Sequence, residues 1–247
     1  MVETKTEIEY APLNCTCDDG AIPVIIPAAG SSSRMQGISK IFEPVCGVPV
    51  IIHTLRAFEN SKHISQIVLV SKEEDVLRLQ ELVEAYGISK VTDIVVGGDN
   101  RQESVKNGLK VIDKCKENVL IHDGARPLVT AKVIENVVTA LSDYKCVVCG
   151  VKVKDTIKIL GTDGFVEKTL DRNSLVSVQT PQGVRVADYK NALSSANTAL
   201  FTDDASIMES VNIKTFVTEG DYKNIKITTR EDLKIAEEYL KEGRDAL

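Results

Sequence analysis

Short apolar runs of strand length alternate with amphipathic segments of helix length, and this alternation limits the fold more than any other feature of the chain. Ile22 to Ile26, Gln66 to Ser71, Val91 to Val96, Val119 to His122 and Cys146 to Val153 are rich in β-branched residues and read as buried strands. Between them the spacing predicts helices. Pro49 to Phe58 turns Ile52, Leu55 and Phe58 to one face, Glu73 to Tyr86 does so with Val76, Leu79, Leu82 and Val83, and Gln102 to Lys114 with Val105, Leu109 and Ile112. Thr130 can cap a further helix carrying Val133, Ile134, Val137, Val138 and Leu141. Repeated βαβ units imply a doubly wound α/β domain, whose ligand sites lie beyond the carboxyl ends of the strands. Gly30, Gly98 and Asp123 each stand at such an end.

Asp155 to Thr180 breaks this rhythm. TIKIL and FVEKTL flank Gly161-Thr162-Asp163-Gly164, a hairpin signal, and a polar-faced hairpin has little to pack against inside one α/β domain. Such a hairpin is marginal alone, so an arm over about 154–180 that crosses onto a second subunit of a two-fold homodimer is expected; an arm lying on its own domain is the alternative. The chain then returns through a helix from Val186, a short helix after Thr202-Asp203-Asp204 and a strand from Ile213 to Val217. It closes on a helix carrying Leu233, Ala236 and Leu240 behind the capping box Thr229-x-x-Asp232. Residues 1–20 show no periodicity and read as an extension ahead of a single domain over 21–247.

A net charge of -6 argues against a general nucleic-acid surface, so a phosphorylated ligand must meet a local basic cluster. No apolar run is long enough to span a bilayer, and the start MVETKTEIEY lacks the basic and apolar regions of a signal peptide, so a cytoplasmic protein without membrane partners is expected. The six cysteines then read as thiols. Cys146 and Cys149, three apart on a strand, point to opposite faces and cannot share a metal.

Five clusters carry candidate chemistry. Ala28, Ala29, Gly30 and Ser31 to Ser33 leave backbone uncovered after the first strand, and Arg34 and Lys40 add charge; the stretch is either a cradle for phosphates or an ordinary βα loop. GGDNRQES, Gly97 to Ser104, lets backbone approach a planar ligand, or is plain turn chemistry. In HDGARP, Asp123 can serve a ribose hydroxyl or a phosphate-held magnesium ion, or can simply pair with Arg126, while His122 reads as a packed strand residue. Lys154, Asp155 and Thr156 with Arg172, and Lys223, Lys226 and Arg230, are solvated charged faces when taken singly and a second phosphate site when taken together.

PAAGSSSRM with Lys40, GGDNRQESV, HDGARP, VKDTIK, LDRNSLVSVQTPQ, TDDAS and NIKIT follow one another in an order and spacing that resembles the 2-C-methyl-D-erythritol 4-phosphate cytidylyltransferase family, from about Ile22 to Leu240. The resemblance implies a Rossmann-like domain with a mostly parallel sheet and a dimerising β-arm. It also implies transfer of CMP from CTP to a sugar-alcohol phosphate, with pyrophosphate released and magnesium present, in the non-mevalonate isoprenoid pathway. Matched residue by residue, Arg34 and Lys40 are the cations that stabilise the pentacoordinate α-phosphate. Ala28, Ala29 and Gly30 line the nucleotide, Gly98, Asp99 and Ser104 lie near the cytosine, and Asp123 lies by the ribose and the metal. Thr156, Arg172 and Thr180 match positions that bind methylerythritol phosphate, and Lys226 serves both substrates. Gly124 and Lys223 depart from the residues usual in the family, the second at a position flanking the substrate contacts. An in-line attack by one phosphate on another needs positioning and charge neutralisation rather than a nucleophile–base pair, in keeping with the clusters found. Two alternatives remain: a ribitol-5-phosphate cytidylyltransferase, whose acceptor differs, and an inactive nucleotide-binding regulatory protein.

Overall fold

A computed structural model describes residues 20–30, 39–113, 115–195 and 201–245. The extension over 1–19, with Cys15 and Cys17, and the segment holding Ser31 to Ser33 and Arg34 lie outside the described residues. The first strand, β1 (Ile22–Pro27), leads through that segment to a 3₁₀ turn at Lys40–Phe42. A two-residue hairpin follows, β2 (Pro44–Val45) and β3 (Val48–Pro49), turning on Cys46 and Gly47 at φ of 50° and 77°. Helix α1 (Val50–Glu59) starts behind Pro49 as its N-cap, one residue later than proline at the first helical position would place it. β4 (Ile64–Ser71), α2 (Val76–Ala85), β5 (Val91–Val96), α3 (Arg101–Val111), β6 (Asn118–Ile121), α4 (Ala131–Ala140) and β7 (Cys146–Lys152) complete the alternating half. Thr130 caps α4 as expected, its hydroxyl accepting from the Val133 N–H at 3.3 Å.

Beyond β7 the chain makes the hairpin β8 (Lys158–Leu160) and β9 (Val166–Thr169). It returns through β10 (Val176–Arg185), α5 (Val186–Ser195), α6 (Asp204–Ser210), β11 (Phe216–Glu219) and α7 (Arg230–Asp245). The main sheet has seven strands in the order β11-β7-β10-β6-β1-β4-β5. Neighbours pair in parallel except at β10, which runs antiparallel to both β6 and β7. The sequence reading misses β10, whose Gln179, Thr180, Pro181, Gln182 and Gly183 look like a loop. It also places the last strand three residues early, since Ile213 packs beneath the sheet before β11 begins.

Strand alternation divides the core in two. Val24 and Ile26 face α1, α2, α4 and α7, while Ile25 faces α3, α5 and α6. Cys146 and Cys149 fall into opposite layers, as their spacing requires, and burial pushes both thiols up to about 12. The hairpin of β8 and β9 touches neither layer. It stands exposed, with Leu160 and Phe165 at 65% and 75% of full exposure. Among the described residues no helix is long and apolar enough to cross a membrane.

Helix α3 lies close against the sheet because Gly108 lacks a side chain. A Cβ there would meet Ile25 Cγ2 at 2.8 Å and Val70 Cγ2 at 3.2 Å, both on stiff β-branched residues of buried strands. Helix propensity favours Gly108→Ala by about 1 kcal/mol. Overpacking a dense core costs about 1–3 kcal/mol, and here it should win. The urea midpoint of Gly108→Ala is expected to fall; a rise would show that the layer yields where the packing says it cannot.

Candidate active site

The carboxyl ends of β1, β5 and β6 open onto one cavity of about 340 Å³. Ala28, Ala29 and Gly30 form one wall, with Lys40 and Ile41 beside them. Gly98, Asp99, Asn100, Arg101 and Ser104 line it from the start of α3, and Asp123, Gly124, Ala125 and Lys226 complete the lining. Every described residue expected to hold the nucleotide is therefore gathered here. Gly98 has no substitute, because a Cβ would sit 2.3 Å from the Cβ of Glu103. Gly124 is tight as well: a Cβ would meet the Pro27 carbonyl oxygen at 3.2 Å and Ile51 Cδ1 at 3.1 Å.

The Gly98 wall is held by the first turn of α3. Asn100 caps the helix by accepting from the Glu103 N–H at 2.8 Å, and Glu103 accepts in return from the Asp99 N–H at 2.9 Å, a reciprocal cap. Ser104 accepts from the Gly98 N–H at 3.2 Å and donates to the Asn100 carbonyl at 2.9 Å. Ser104 is buried, so its hydroxyl shapes the loop that meets the ligand.

A second cavity, of about 270 Å³, adjoins the first and shares Arg101, Asp123 and Lys226 with it. Arg126, Val178, Gln179, Thr180, Gln182, Thr202 and Asp203 complete its lining. Asp123 sits at the seam. Its Oδ2 lies 2.9 Å from Lys226 Nζ and 3.5 Å from Arg126 Nε, and its Oδ1 lies 3.8 Å from Arg101 Nε. Backbone contacts hold the three segments together: Ile227 donates to the Ala125 carbonyl at 2.8 Å, Arg126 Nη1 to the Asn224 carbonyl at 2.7 Å, and Asn224 Nδ2 to the Thr180 carbonyl at 2.9 Å.

Thr180 has its hydroxyl proton committed. His122 Nε2 faces the Arg126 carbonyl at 3.3 Å, and a carbonyl requires a donor, so the ring proton belongs on Nε2. Nδ1 is then a lone pair and takes the Thr180 hydroxyl proton at 3.1 Å, while the Asp123 N–H donates to Thr180 Oγ1 at 3.1 Å. Only a lone pair of Thr180 remains for a ligand. Thr180 can therefore accept a further hydrogen bond but has no proton to offer a phosphate oxygen.

Two expected substrate residues do not join this site. Thr156 and Arg172 are exposed at the base of the projecting hairpin, where Arg172 Nη1 donates to the Lys154 carbonyl at 3.2 Å, and neither lines either cavity. Lys223 is turned away to Glu242 at 2.8 Å. Arg34 lies outside the described residues. Conversely, Arg101 and Asp204 were not singled out beforehand, and Arg126 was named only as an alternative partner for Asp123, to which it lies at 3.5 Å. Arg101 and Asp204 stand in the motifs GGDNRQES and TDDAS, but their pairing spans 103 residues of sequence and only the fold reveals it.

A family model described as 2-C-methyl-D-erythritol 4-phosphate cytidylyltransferase matches residues 22–242. A protein of that name from Bacillus mycoides is 46% identical over 220 residues, which cover 88% of this chain and 96% of the relative. Another from Clostridium acetobutylicum is 44% identical over 223 residues, 89% of this chain and 97% of the relative. The crystal structure of a 4-diphosphocytidyl-2C-methyl-D-erythritol synthase from Anaerococcus prevotii superposes with a TM-score of 0.79 at 33% identity, covering 91% of this chain and all of that one.

The charge states at the seam follow from burial and neighbours. Burial alone would raise the Asp123 carboxyl, but Lys226, Arg101 and Arg126 together outweigh it and hold the group ionised well below the usual carboxylate range. Burial drives His122 down to about 3, and the nearby Asp123 charge only partly offsets this. Between pH 6.5 and about 3 the unfolded chain binds the proton that folded His122 refuses. The stability this residue contributes is thus whole above pH 6.5 and falls as the pH drops through that window. Asp123 acts in the same direction below its unfolded value of 3.8. In a pH titration followed by NMR, the His122 ring shifts should stay constant from pH 8 to pH 5; a midpoint inside that range would overturn the neutral, proton-accepting role given to this ring.

Proposed function

The chain belongs to the 2-C-methyl-D-erythritol 4-phosphate cytidylyltransferase family, and we propose that the residues around Asp123 carry out that family's reaction on this chain: CMP passes from CTP to 2-C-methyl-D-erythritol 4-phosphate, and pyrophosphate is released, in the non-mevalonate route to isoprenoids. The observation that carries the assignment of roles is the seam itself, one carboxylate with three cations between two cavities of substrate size.

The cytidine lies against Ala28, Ala29 and Gly30, with the base toward Gly98, Asp99 and the loop that Ser104 holds, and the ribose toward Asp123. The acceptor fills the second cavity, where Thr180 takes a hydrogen bond from one of its hydroxyls and Lys226 and Arg126 draw in its phosphate. Its phosphate oxygen attacks the α-phosphorus in line, and the bond to the β-phosphate oxygen breaks. No side chain becomes covalently bonded, so the barrier is lowered by alignment and by Lys40 and Arg34 facing the charge on the pentacoordinate phosphorus. The donor set suits magnesium brought in on the triphosphate. Among the described residues no cluster of three carboxylate, imidazole or thiolate groups could cage an ion, yet Asp123 Oδ1, 3.8 Å from Arg101 Nε, has lone pairs for one. When bound there the ion neutralises phosphate charge.

Dimerisation through the arm explains why Thr156 and Arg172 stand apart from their own site. Ile159, Leu160, Phe165 and Val166 present apolar surface on a hairpin that has no core, and crossing to a partner subunit would bury it and deliver Thr156 and Arg172 to the partner's acceptor cavity. A cytoplasmic location fits the free thiols of Cys46, Cys115, Cys146 and Cys149.

Pyrophosphate release from CTP with magnesium tests the reading directly. Methylerythritol phosphate should support turnover and ribitol 5-phosphate should not; the reverse preference would move the chain to the ribitol reaction, and no release with either acceptor would favour a regulatory protein. Lys40→Ala and Arg34→Ala should each lower turnover by roughly 10²-fold or more. The double variant Leu160→Glu, Phe165→Glu should sediment as a monomer and lose acceptor-dependent turnover while still binding CTP. A wild type that sediments as a monomer would refute the crossing arm.

A further inference from the structure

Arg101 is held from the core as well as at the seam. Its Nη2 donates to Asp204 Oδ2 at 2.5 Å, and the other oxygen of that carboxylate accepts from the Tyr189 hydroxyl at 2.5 Å. Asp204 and Tyr189 are fully buried. The Asp204 backbone is fixed as well, because its N–H and that of Ala205 both donate to Gln182 Oε1 at 3.0 Å, and Gln182 Nε2 donates to Asp203 Oδ2 at 2.9 Å. Gln182 belongs to β10, the strand that carries Thr180 into the acceptor cavity. One connected set of hydrogen bonds thus joins β10, α5, α6 and the start of α3.

A buried ion pair is a poor device for stability, since a well-packed apolar pair does as well. It is a good device for fixing a direction, and this one aims at the site. Burial opposes the Arg101 charge, but Asp204 outweighs it and keeps the guanidinium protonated at any working pH, while burial and the same carboxylate keep Tyr189 as the neutral phenol that donates. With Nη2 hydrogen-bonded to Asp204 and Nε 3.8 Å from Asp123 Oδ1, two carboxylates set the direction of the guanidinium. Its Nη1 is buried and has no hydrogen-bond partner among the described residues, while 24% of the Arg101 side chain stays exposed. Arg101 lines both cavities, so its exposed part stands where acceptor and nucleotide meet.

We propose that Asp204 and Tyr189 are positioning residues for Arg101, and that Arg101, so held, engages the acceptor's attacking phosphate at the seam between the two cavities. This rests on the cytidylyltransferase reading of the site. It assigns a function to a buried aspartate and a buried tyrosine that touch no substrate, and adds Arg101 to Lys40, Arg34, Lys226 and Arg126 as side chains that meet the phosphates.

The test is a double-mutant cycle on kcat/KM for the acceptor, with CTP saturating. Tyr189→Phe keeps the ring and its packing and removes only the donor to Asp204; Arg101→Lys keeps the charge and removes the fork. Tyr189→Phe alone should lower kcat/KM for the acceptor about tenfold with KM for CTP little changed, and in the Arg101→Lys background it should cost little more. Asp204→Asn should behave as Tyr189→Phe does or more severely; should it fail to fold, the tyrosine cycle still decides. Equal losses in the two backgrounds, or a folded Tyr189→Phe enzyme with wild-type kinetics, would show that the network is only structural and overturn the proposal. Wild-type turnover with methylerythritol phosphate reports separately on the assignment of function, and the cycle is read with whichever acceptor the wild type turns over.

Discussion

The site depends on a carboxylate held almost out of water among three cations. Asp123 keeps 13% of its side chain exposed, yet it stays ionised because Lys226, Arg126 and Arg101 converge on it from three separate parts of the chain. Removing Asp123 would leave Arg126, whose side chain is 12% exposed, without its carboxylate, and breaking a buried pair costs about 3–5 kcal/mol. The convergence also dictates topology. Arg126 comes from the loop after β6, Arg101 from the first turn of α3 and Lys226 from the segment after β11, so the seam forms only when both halves of the sheet are in place.

Most of the fold was legible because it is locally encoded. Buried parallel strands are continuous apolar runs and their helices carry one apolar stripe, so the strands at β1, β4, β5, β6 and β7 could be read with errors of a residue or two at their ends. β10 could not. Gln179, Thr180 and Gln182 are buried polar residues in the middle of a sheet, and each is there for bonds that cross the fold: Gln179 to Asp221, Thr180 to His122, Gln182 to the start of α6. A strand that serves a site breaks the apolar pattern that announces other strands. β11 was displaced for a simpler reason, since Ile213 is apolar like a strand residue but packs with the α5 and α6 layer.

The candidate site divides in the same way. Gly98, Ser104 and Asp123 were readable because each belongs to a short motif at a strand end, where backbone geometry and chemistry coincide. Arg101 and Asp204 were not, because an ion pair between distant segments leaves no periodicity in either. Thr156 and Arg172 show the opposite limit. Resemblance assigns them to the acceptor, but within one chain they stand on a bare arm away from both cavities, a placement that no local pattern in the sequence signals.

The balance of charge at the seam bears on turnover as well as binding. Arg101, Arg126 and Lys226 against Asp123 and Asp204 leave one unit of positive charge, to which Lys40 adds at the cavity wall. A site of the same cations without the carboxylates would hold CTP more tightly, but it would hold pyrophosphate more tightly too, and binding that is equal in ground and transition states does not raise kcat. The carboxylates do something else. They fix the direction of each cation before substrate arrives, so that little reorganisation is left for the moment when charge moves between the phosphates. On this view the buried anions of an anion-binding site are what convert a cluster of positive charge into a catalyst, and Asp204 belongs to that machinery as much as the residues that touch the substrate.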